Sequence, residues 1–492
     1  MDNKAKFYGH GGDIHDRIRQ VRGNFRENLD RLRSGCTPVI AVHRKNCFHL
    51  DRVLSRIADE LGRGADVSPF PPSPVNTIAD RFRDHLDEMM LTAELSGIET
   101  EIDDPRLFEL LDRVQSLASS HKETDLLRAL GIVCDTVLVG PWWFIFETVN
   151  ACNSDCLYCN IHSPSRKPSK EFLKDRMPFA IFRDTCDDLT AMGTEGVTIL
   201  ANGEPLLNPD FADMVRYAAQ KKFTLNFFTN GLLFNNDIAA LCIEHGVHEI
   251  LVTISAAEES TYLKLHSRQH PGDFQRVLDQ FAALRDMKQK AGKQFPEVTG
   301  VHVICAPNVH ETPAMAKQAA ELGFTRLRLA LLRVDEHNRS LALTRDQIKT
   351  LLEQLPEVEA YCETHGVTLL PGYRFQLEHA DDPAHWSGDA FVQNGCYIGF
   401  GLGLLKANAD ASFCCVVKPI ANLKQGVRFR DVWNGWFYHE ARVAAKRLTD
   451  VNDIRFTGDE PLYTDACRHC DNHDINVALH RLLDETGLRE FI

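Results

Sequence analysis

The chain has 492 residues, 44% of them hydrophobic and 25% charged, a balance that excludes wholesale disorder and, at ~150 residues per domain, leaves room for several folding units with a sizeable core. Its 55 Lys plus Arg stand against 69 Asp plus Glu, a net charge of −14 that gives no overall attraction for nucleic acid or anionic lipid. Fifteen cysteines, a start without an apolar signal region, and no apolar run of the ~20 residues a bilayer demands point to a reducing cytoplasm rather than to a disulfide framework or a membrane.

Residues 1–140 read as a helical domain, with amphipathic stretches near 14–33, 48–61, 76–96 and 105–130, a Pro-rich break from Val67 to Val75, and one plausible strand, Pro38 to Val42. Their Arg, Asp and His residues are most simply solvated helix faces. From about 143 six short apolar runs follow: Trp143 to Phe146, Val197 to Leu200, Phe223 to Phe228, Ile250 to Ile254, Val301 to Ile304 and Leu327 to Leu332. Between them lie helical patterns such as Phe211, Met214, Val215 and Ala218. Such βα alternation predicts an α/β fold with a parallel sheet over 141–335, either a partial barrel or an open doubly wound sheet, and both place chemistry at the carboxyl ends of the strands. Residues 336–389 read as a helix (344–365) and a connecting loop. In 390–492, Asn394 to Val417 reads as a β-hairpin turning near Asn408 to Ala411, followed by a helix from Val432 to Arg447 and a terminal helix near 474–486.

Seven cysteines, Cys36, Cys47, Cys134, Cys186, Cys242, Cys305 and Cys362, are scattered singly and read as small buried hydrophobes. The other eight cluster. Cys152, Cys156 and Cys159 stand in C-x3-C-x2-C spacing just after the first β-run. Three thiolates on one short loop can each bind one iron of a cubane, leaving the fourth iron open to another ligand. A structural zinc site would need a fourth protein ligand, for which His162 is the local candidate.

The segment from Phe146 through Cys159 resembles the cluster loop of the radical S-adenosylmethionine (radical SAM) superfamily. The resemblance implies a partial (β/α)6 TIM-like barrel in which Cys152, Cys156 and Cys159 hold a [4Fe-4S] cluster, the open iron being chelated by S-adenosylmethionine, with Tyr158 near the adenine. Asn202, Gly203, Glu204 and Pro205 are similar to the family's Gly-Gly-Glu-Pro segment, with Asn202 in place of the first glycine, and by that likeness receive the methionine amino group. A carboxylate suits an ammonium, and the flanking Gly and Pro shape a turn that exposes backbone acceptors. Asn230, in a Thr-Asn-Gly segment, is family-like as well. Ser255 and Arg268 are implied as contacts of the methionine carboxylate, Arg through its two-pronged donor geometry, and Asn308 as a contact of ribose or adenine.

In the tail, Cys396, the pair Cys414 and Cys415, and Cys467 with Cys470, together with Trp433, Asn434, Gly435 and Arg442, resemble the abbreviated auxiliary-cluster domains called SPASM or twitch. This implies one auxiliary [4Fe-4S] cluster. Neighbouring strand residues face opposite ways, so only one of the adjacent pair joins; the expected set is Cys396, Cys415, Cys467 and Cys470. A zinc ribbon using Cys467, Cys470, His469 and His473 competes. Two further patterns read as structural: Gly399, Gly401 and Gly403 as hairpin glycines rather than a dinucleotide loop, and Ser163 to Lys170 as a solvated basic loop.

The resemblance implies an enzyme that, with an electron from a donor such as flavodoxin or ferredoxin, cleaves S-adenosylmethionine to a 5′-deoxyadenosyl radical that takes a hydrogen atom from substrate. Net oxidation of a small or carrier-bound metabolite, of sugar or aminocyclitol type, is the expected outcome. A ribosomal-peptide maturase, crosslinking or epimerising with Cys305 or the spare tail cysteine as hydrogen donor, is the alternative, and a zinc-stabilised interaction protein the non-catalytic one. No nucleic-acid or membrane partner is expected.

Overall fold

A computed structural model describes residues 4–7, 31, 37–43, 45–60, 74–96, 98–166, 168–380, 385–415, 419–448, 455–456, 460–462, 464–470 and 472–492. The expected helix at 14–33, most of the Pro-rich segment and Cys36 lie outside the described residues. The chain divides into two compact units, Met1–Val139 with Ala478–Ile492, and Gly140–Val477.

The first unit is not purely helical. β1 (Lys4–Phe7), β2 (Thr37–Val42) and β3 (Glu99–Ile102) form a parallel sheet in the order β1-β2-β3. β2 carries a buried apolar run; β3 is short, charged and mostly exposed, so it gives no strand signal and is formed by pairing with β2. Helices Leu50–Glu60 and Ile78–Leu95 lie between β2 and β3 in the chain. The stretch expected as one helix over 105–130 is two, Leu107–Ser116 and Glu123–Val133. Its break falls at Ser119 and Ser120, where the Ser120 hydroxyl donates to the carbonyl of Leu117, a local alternative to the helical ladder. The chain's last residues, expected with the tail, join this unit: Arg113 donates to the Thr486 carbonyl, and Arg106 lies 4.2 Å from the Phe491 ring centroid.

In the second unit β4 (Trp143–Glu147), β5 (Gly196–Leu200), β6 (Thr224–Thr229), β7 (Glu249–Thr253), β8 (Glu297–Ile304) and β9 (Arg326–Leu331) are parallel and adjacent in chain order. A doubly wound sheet would reverse its strand order at a switch point. The sequential order therefore selects the partial barrel. Helices between the strands bury one apolar stripe each, as Phe211, Met214, Val215 and Ala218 do in Phe211–Gln220. A two-residue strand, β10 (Thr368–Leu369), follows β9 at the edge.

The tail departs from the hairpin expected over Asn394 to Val417. Residues 394–401 are largely helical, with short helices Ala390–Asn394 and Ile398–Gly401, and only β11 (Leu402–Leu405) and β12 (Asp410–Ser412) form the hairpin. β11 also pairs in parallel with β4, so the barrel sheet continues into the tail. The glycines serve this packing: a Cβ at Gly399 would lie 2.2 Å from the Phe413 ring, and one at Gly403 2.6 Å from the Phe144 ring. At the other flank the Trp386 indole donates to the carbonyl of Leu332 at 2.7 Å, just past β9. One segment, 386–405, thus holds both flanks of the six-stranded sheet. Among the described residues no helix is long and apolar enough to cross a membrane.

Candidate functional site

β4 delivers the chain into the three-cysteine loop at the carboxyl end of the sheet. The loop is pinned from two sides. Leu157 N donates to Leu265 O at 2.8 Å, and Glu204 N donates to Ala151 O at 2.9 Å. At Gly203 a Cβ would stand 1.7 Å from Ala151 O, so only glycine permits this approach. Backbone donors reach the sulfurs: Ser154 N lies 3.4 Å from Cys152 Sγ, and Ile161 N and His162 N lie 3.4 and 3.2 Å from Cys159 Sγ. The Ser154 hydroxyl is 3.3 Å from Cys156 Sγ. Such donors stabilise thiolate charge and, around a cluster, tune it.

Burial pushes all three thiols up, Cys152 to about 12. Left alone they are protonated; a bound metal would remove those protons. Among the described residues no three Cys, His, Asp or Glu side chains gather as a single ion needs, whereas each thiolate of a cubane binds its own iron. The donor set of soft sulfurs with N–H support fits a cluster.

The next two strand ends lock onto this loop. Glu204 is buried and raised to about 7 by that burial, against the bonds it accepts from Asn230 N at 2.8 Å, Thr229 Oγ1 at 2.8 Å and Leu206 N at 3.3 Å. Asn230 Nδ2 donates to Asn153 Oδ1 at 2.7 Å. Asn202 bridges Glu147 Oε2 at 2.7 Å and Asn150 Oδ1 at 3.2 Å. Asn202 thereby does what a glycine in its place could not: it ties β4 to β5 with its side chain.

A cavity of about 380 Å³ opens at these strand ends. Of the residues expected from the sequence, Cys152, Cys156, Tyr158, Cys159, Gly203, Glu204, Pro205 and Asn230 line it; Ser255, Arg268 and Asn308 do not. Ser255 is fully buried at φ +56°, and its hydroxyl accepts from Val303 N at 3.0 Å. The Asn308 amide donates to Ser255 O and Val303 O and accepts from Cys305 N, each at 2.8 Å, so it braces the ends of β7 and β8. The Arg268 side chain is 62% exposed, 3.8 Å from Asp155. Cys305 is buried in a packed cluster with Leu265, Leu332 and Val334 and does not line the cavity.

Sequence reasoning did not find His266. Its Nδ1 donates to Tyr262 O at 2.8 Å, which leaves Nε2 to accept from the Tyr158 hydroxyl at 3.0 Å. Burial holds the imidazole neutral, lowering it to about 4. His266 thus fixes the ring of the one aromatic inside the cysteine motif. The basic loop after the motif is latched as well, through Arg166 Nη2 and Asp335 Oδ2 at 2.5 Å.

In the tail, Cys396 follows Gly395, whose φ of +82° and 2.7 Å clearance from Lys446 O exclude a side chain. The Cys396 thiol is pushed up by burial and then by the neighbouring thiols of Cys414 and Cys467. Cys415 is exposed and accepts from Asn472 Nδ2 at 3.3 Å. The alternation of side chains thus holds, but it turns Cys414 rather than Cys415 into the field of Cys396 and Cys467. Ser387 N donates to Arg468 O at 2.8 Å, anchoring the Cys467–Cys470 turn. His473 donates toward Cys470 O, stacks on Phe375 with ring centroids 4.6 Å apart and has Nε2 3.2 Å from Asp474 Oδ1. Arg442 is buried between Trp433 and Tyr438, 4.2 and 4.3 Å from their ring centroids, and donates to Gly399 O.

Residues 146–304 match the family model of the radical SAM superfamily. An AdoMet-dependent heme synthase of Methanosarcina barkeri is 23% identical over 339 residues, 67% of this chain and 91% of that protein. The mycofactocin maturase MftC of Mycobacterium tuberculosis is 27% identical over 346 residues, 68% of this chain and 77% of that protein. Among solved structures, Streptococcus suis SuiB bound to S-adenosylmethionine aligns with a TM-score of 0.48 and 14% identity, covering 72% of this chain and 76% of that one.

Proposed function

The chain belongs to the radical SAM superfamily, and from that premise we propose that Cys152, Cys156 and Cys159 hold a [4Fe-4S] cluster whose open iron takes S-adenosylmethionine in the cavity beside Glu204 and Asn230. Bound there, cluster and cofactor supply one-electron reductive cleavage of the sulfonium and hydrogen-atom abstraction from substrate. The chain's own part is positional. Gly203 lets the β5 turn close on the cysteine loop, Asn202 and Asn230 tie that loop to two strand ends, and Glu204 offers a buried carboxylate to an ammonium. Tyr158, oriented by His266, gives the adenine a fixed neighbour.

The observation that carries this reading is the convergence of three thiols, two supported by backbone N–H groups and one beside the Ser154 hydroxyl, and a buried carboxylate on one cavity at the strand ends. We further propose that Cys396, Cys414, Cys467 and Cys470 hold one auxiliary [4Fe-4S] cluster. With four protein thiolates it would have no open iron for substrate and would serve as an electron acceptor, which favours net oxidation of a small or carrier-bound metabolite. The MftC relationship favours a second reading, a peptide substrate. Anaerobic reconstitution followed by a reductant-dependent assay for 5′-deoxyadenosine tests the function: the wild type should form it and Cys156→Ala should not, and a colourless protein with no product would overturn it.

A further inference from the structure

The three sulfurs of the cysteine loop are not served alike. Cys152 and Cys159 have backbone N–H groups beside them, Ser154 N at 3.4 Å from one and Ile161 N and His162 N at 3.4 and 3.2 Å from the other. Cys156, besides its own N–H, draws on two hydroxyls: those of Ser154 and Tyr158 both hold its thiol below where burial alone would put it. The Tyr158 proton goes to His266 Nε2. The side-chain donor left for Cys156 is therefore Ser154, which is buried and has Oγ 3.3 Å from Sγ.

Ser154 also faces Gln269. Its Oγ lies 3.3 Å from Gln269 Oε1, to which it donates while Cys156 is a thiol with a proton of its own to give. A metal-bound thiolate has no proton and accepts from Ser154 instead. Ser154 has one proton, so once sulfur takes it Gln269 must turn from acceptor to donor. That exchange breaks no other bond, because among the described residues Gln269 Nε2 has no hydrogen-bond partner. Gln269 is itself buried, and a clamp between residues 265–269 and the loop carries it there. Leu157 N donates to Leu265 O at 2.8 Å, and Cys156 and His266 form an antiparallel bridge. Asp155 accepts from Ser267 Oγ at 2.7 Å and from Arg268 N at 2.8 Å.

We infer that Gln269 and Ser154 form a hydrogen-bond relay, Gln269 Nε2 to Ser154 Oγ and Ser154 Oγ to Cys156 Sγ, that raises the reduction potential of the cluster proposed on this loop; this deepens the proposed function and rests on it. Ser154 meets the ligand sulfur, and Gln269 is a positioning residue that acts through it. Reduction adds one electron, and with it negative charge on the sulfurs. A donor to sulfur therefore stabilises the reduced state more than the oxidised one. In a relay each bond polarises the next, so Gln269 adds to the effect of Ser154.

The test is a potentiometric titration of the reconstituted protein, with dithionite supplying the electron and electron paramagnetic resonance as the readout. The signal absent from Cys156→Ala is that of the first site, and the tail's signal is the internal reference. Ser154→Ala should lower the ratio of reduced to oxidised first-site cluster about tenfold at a given potential, ~59 mV for one electron, and Ser154→Thr, which keeps the hydroxyl, should stay near wild type. Gln269→Glu should lower the ratio at least as far, because a carboxylate takes the Ser154 proton and adds negative charge, and Gln269→Leu should lower it less. The tail's potential should not move. An unchanged first-site potential in Ser154→Ala or in Gln269→Glu overturns the inference, as does an equal shift of both signals. Where Ser154→Ala holds no first-site iron, Gln269→Glu decides; loss of that iron in both would make the pair a requirement for assembly and overturn the inference as well. A wild-type protein that forms no first-site cluster would instead defeat the parent reading.

Discussion

The two cysteine sites are built in opposite ways. The first places three thiols within eight residues of one loop, and the fold's task is to hold that loop: a glycine contact to Ala151, two amide-bearing side chains, and N–H donors to sulfur. The second, as proposed, would draw Cys396, Cys414, Cys467 and Cys470 from three separate segments, and its integrity would depend on β11 pairing with β4 and on Ser387 reaching Arg468. A local motif survives distortion of the rest of the chain; an assembled one reports on it. The sites should therefore fail independently and for different reasons.

The largest effect expected is from Cys156→Ala, which should abolish 5′-deoxyadenosine formation while leaving the tail's iron, about four per chain, measurable by iron and sulfide analysis. Gly203→Ala comes next. Its Cβ meets backbone rather than a flexible side chain, so overpacking should cost about 1–3 kcal/mol in denaturant unfolding and lower iron at the first site while sparing the second. At the second site, Cys414→Ser should lose the auxiliary iron and Cys415→Ser should keep it; the reverse pattern would restore Cys415 to the ligand set.

A pH effect separates the sites further. Glu204 is raised from 4.5 to about 7 in the fold, so across that window the folded, cluster-free protein binds more protons than the unfolded chain, and stability falls as pH rises from about 4.5 to 7. Glu204→Gln should flatten that decline in thermal or denaturant melts. The smallest effect is expected from Tyr158→Phe. It removes the hydroxyl that His266 accepts, a loss of ~1 kcal/mol, readable as a modest weakening of S-adenosylmethionine binding with cluster content unchanged.

What was legible in the sequence follows the same division. The six βα runs and the cysteine loop are written in short local patterns, and β4 to β9 fall within a few residues of the apolar runs, because a parallel strand buried on both faces is a continuous hydrophobic segment. β1 and β3 escaped because edge strands of four residues owe their conformation to a neighbour. β11 reads as part of a hairpin, and nothing local records its further pairing with β4, two hundred and more residues away. Ser255, Asn308 and Arg268 lie near the right strand ends, yet which way a side chain turns depends on backbone such as the left-handed Ser255. His266 had no local signal, since its value lies in one contact with Tyr158.

The central claim, a cofactor-binding cluster in the barrel beside a closed one in the tail, is tested most directly by electron paramagnetic resonance of the reduced, reconstituted protein with and without S-adenosylmethionine. Two cluster signals are expected, of which one shifts on adding the cofactor and disappears in Cys156→Ala while the other is indifferent to both. A spectrum with no component that responds to S-adenosylmethionine would contradict the account.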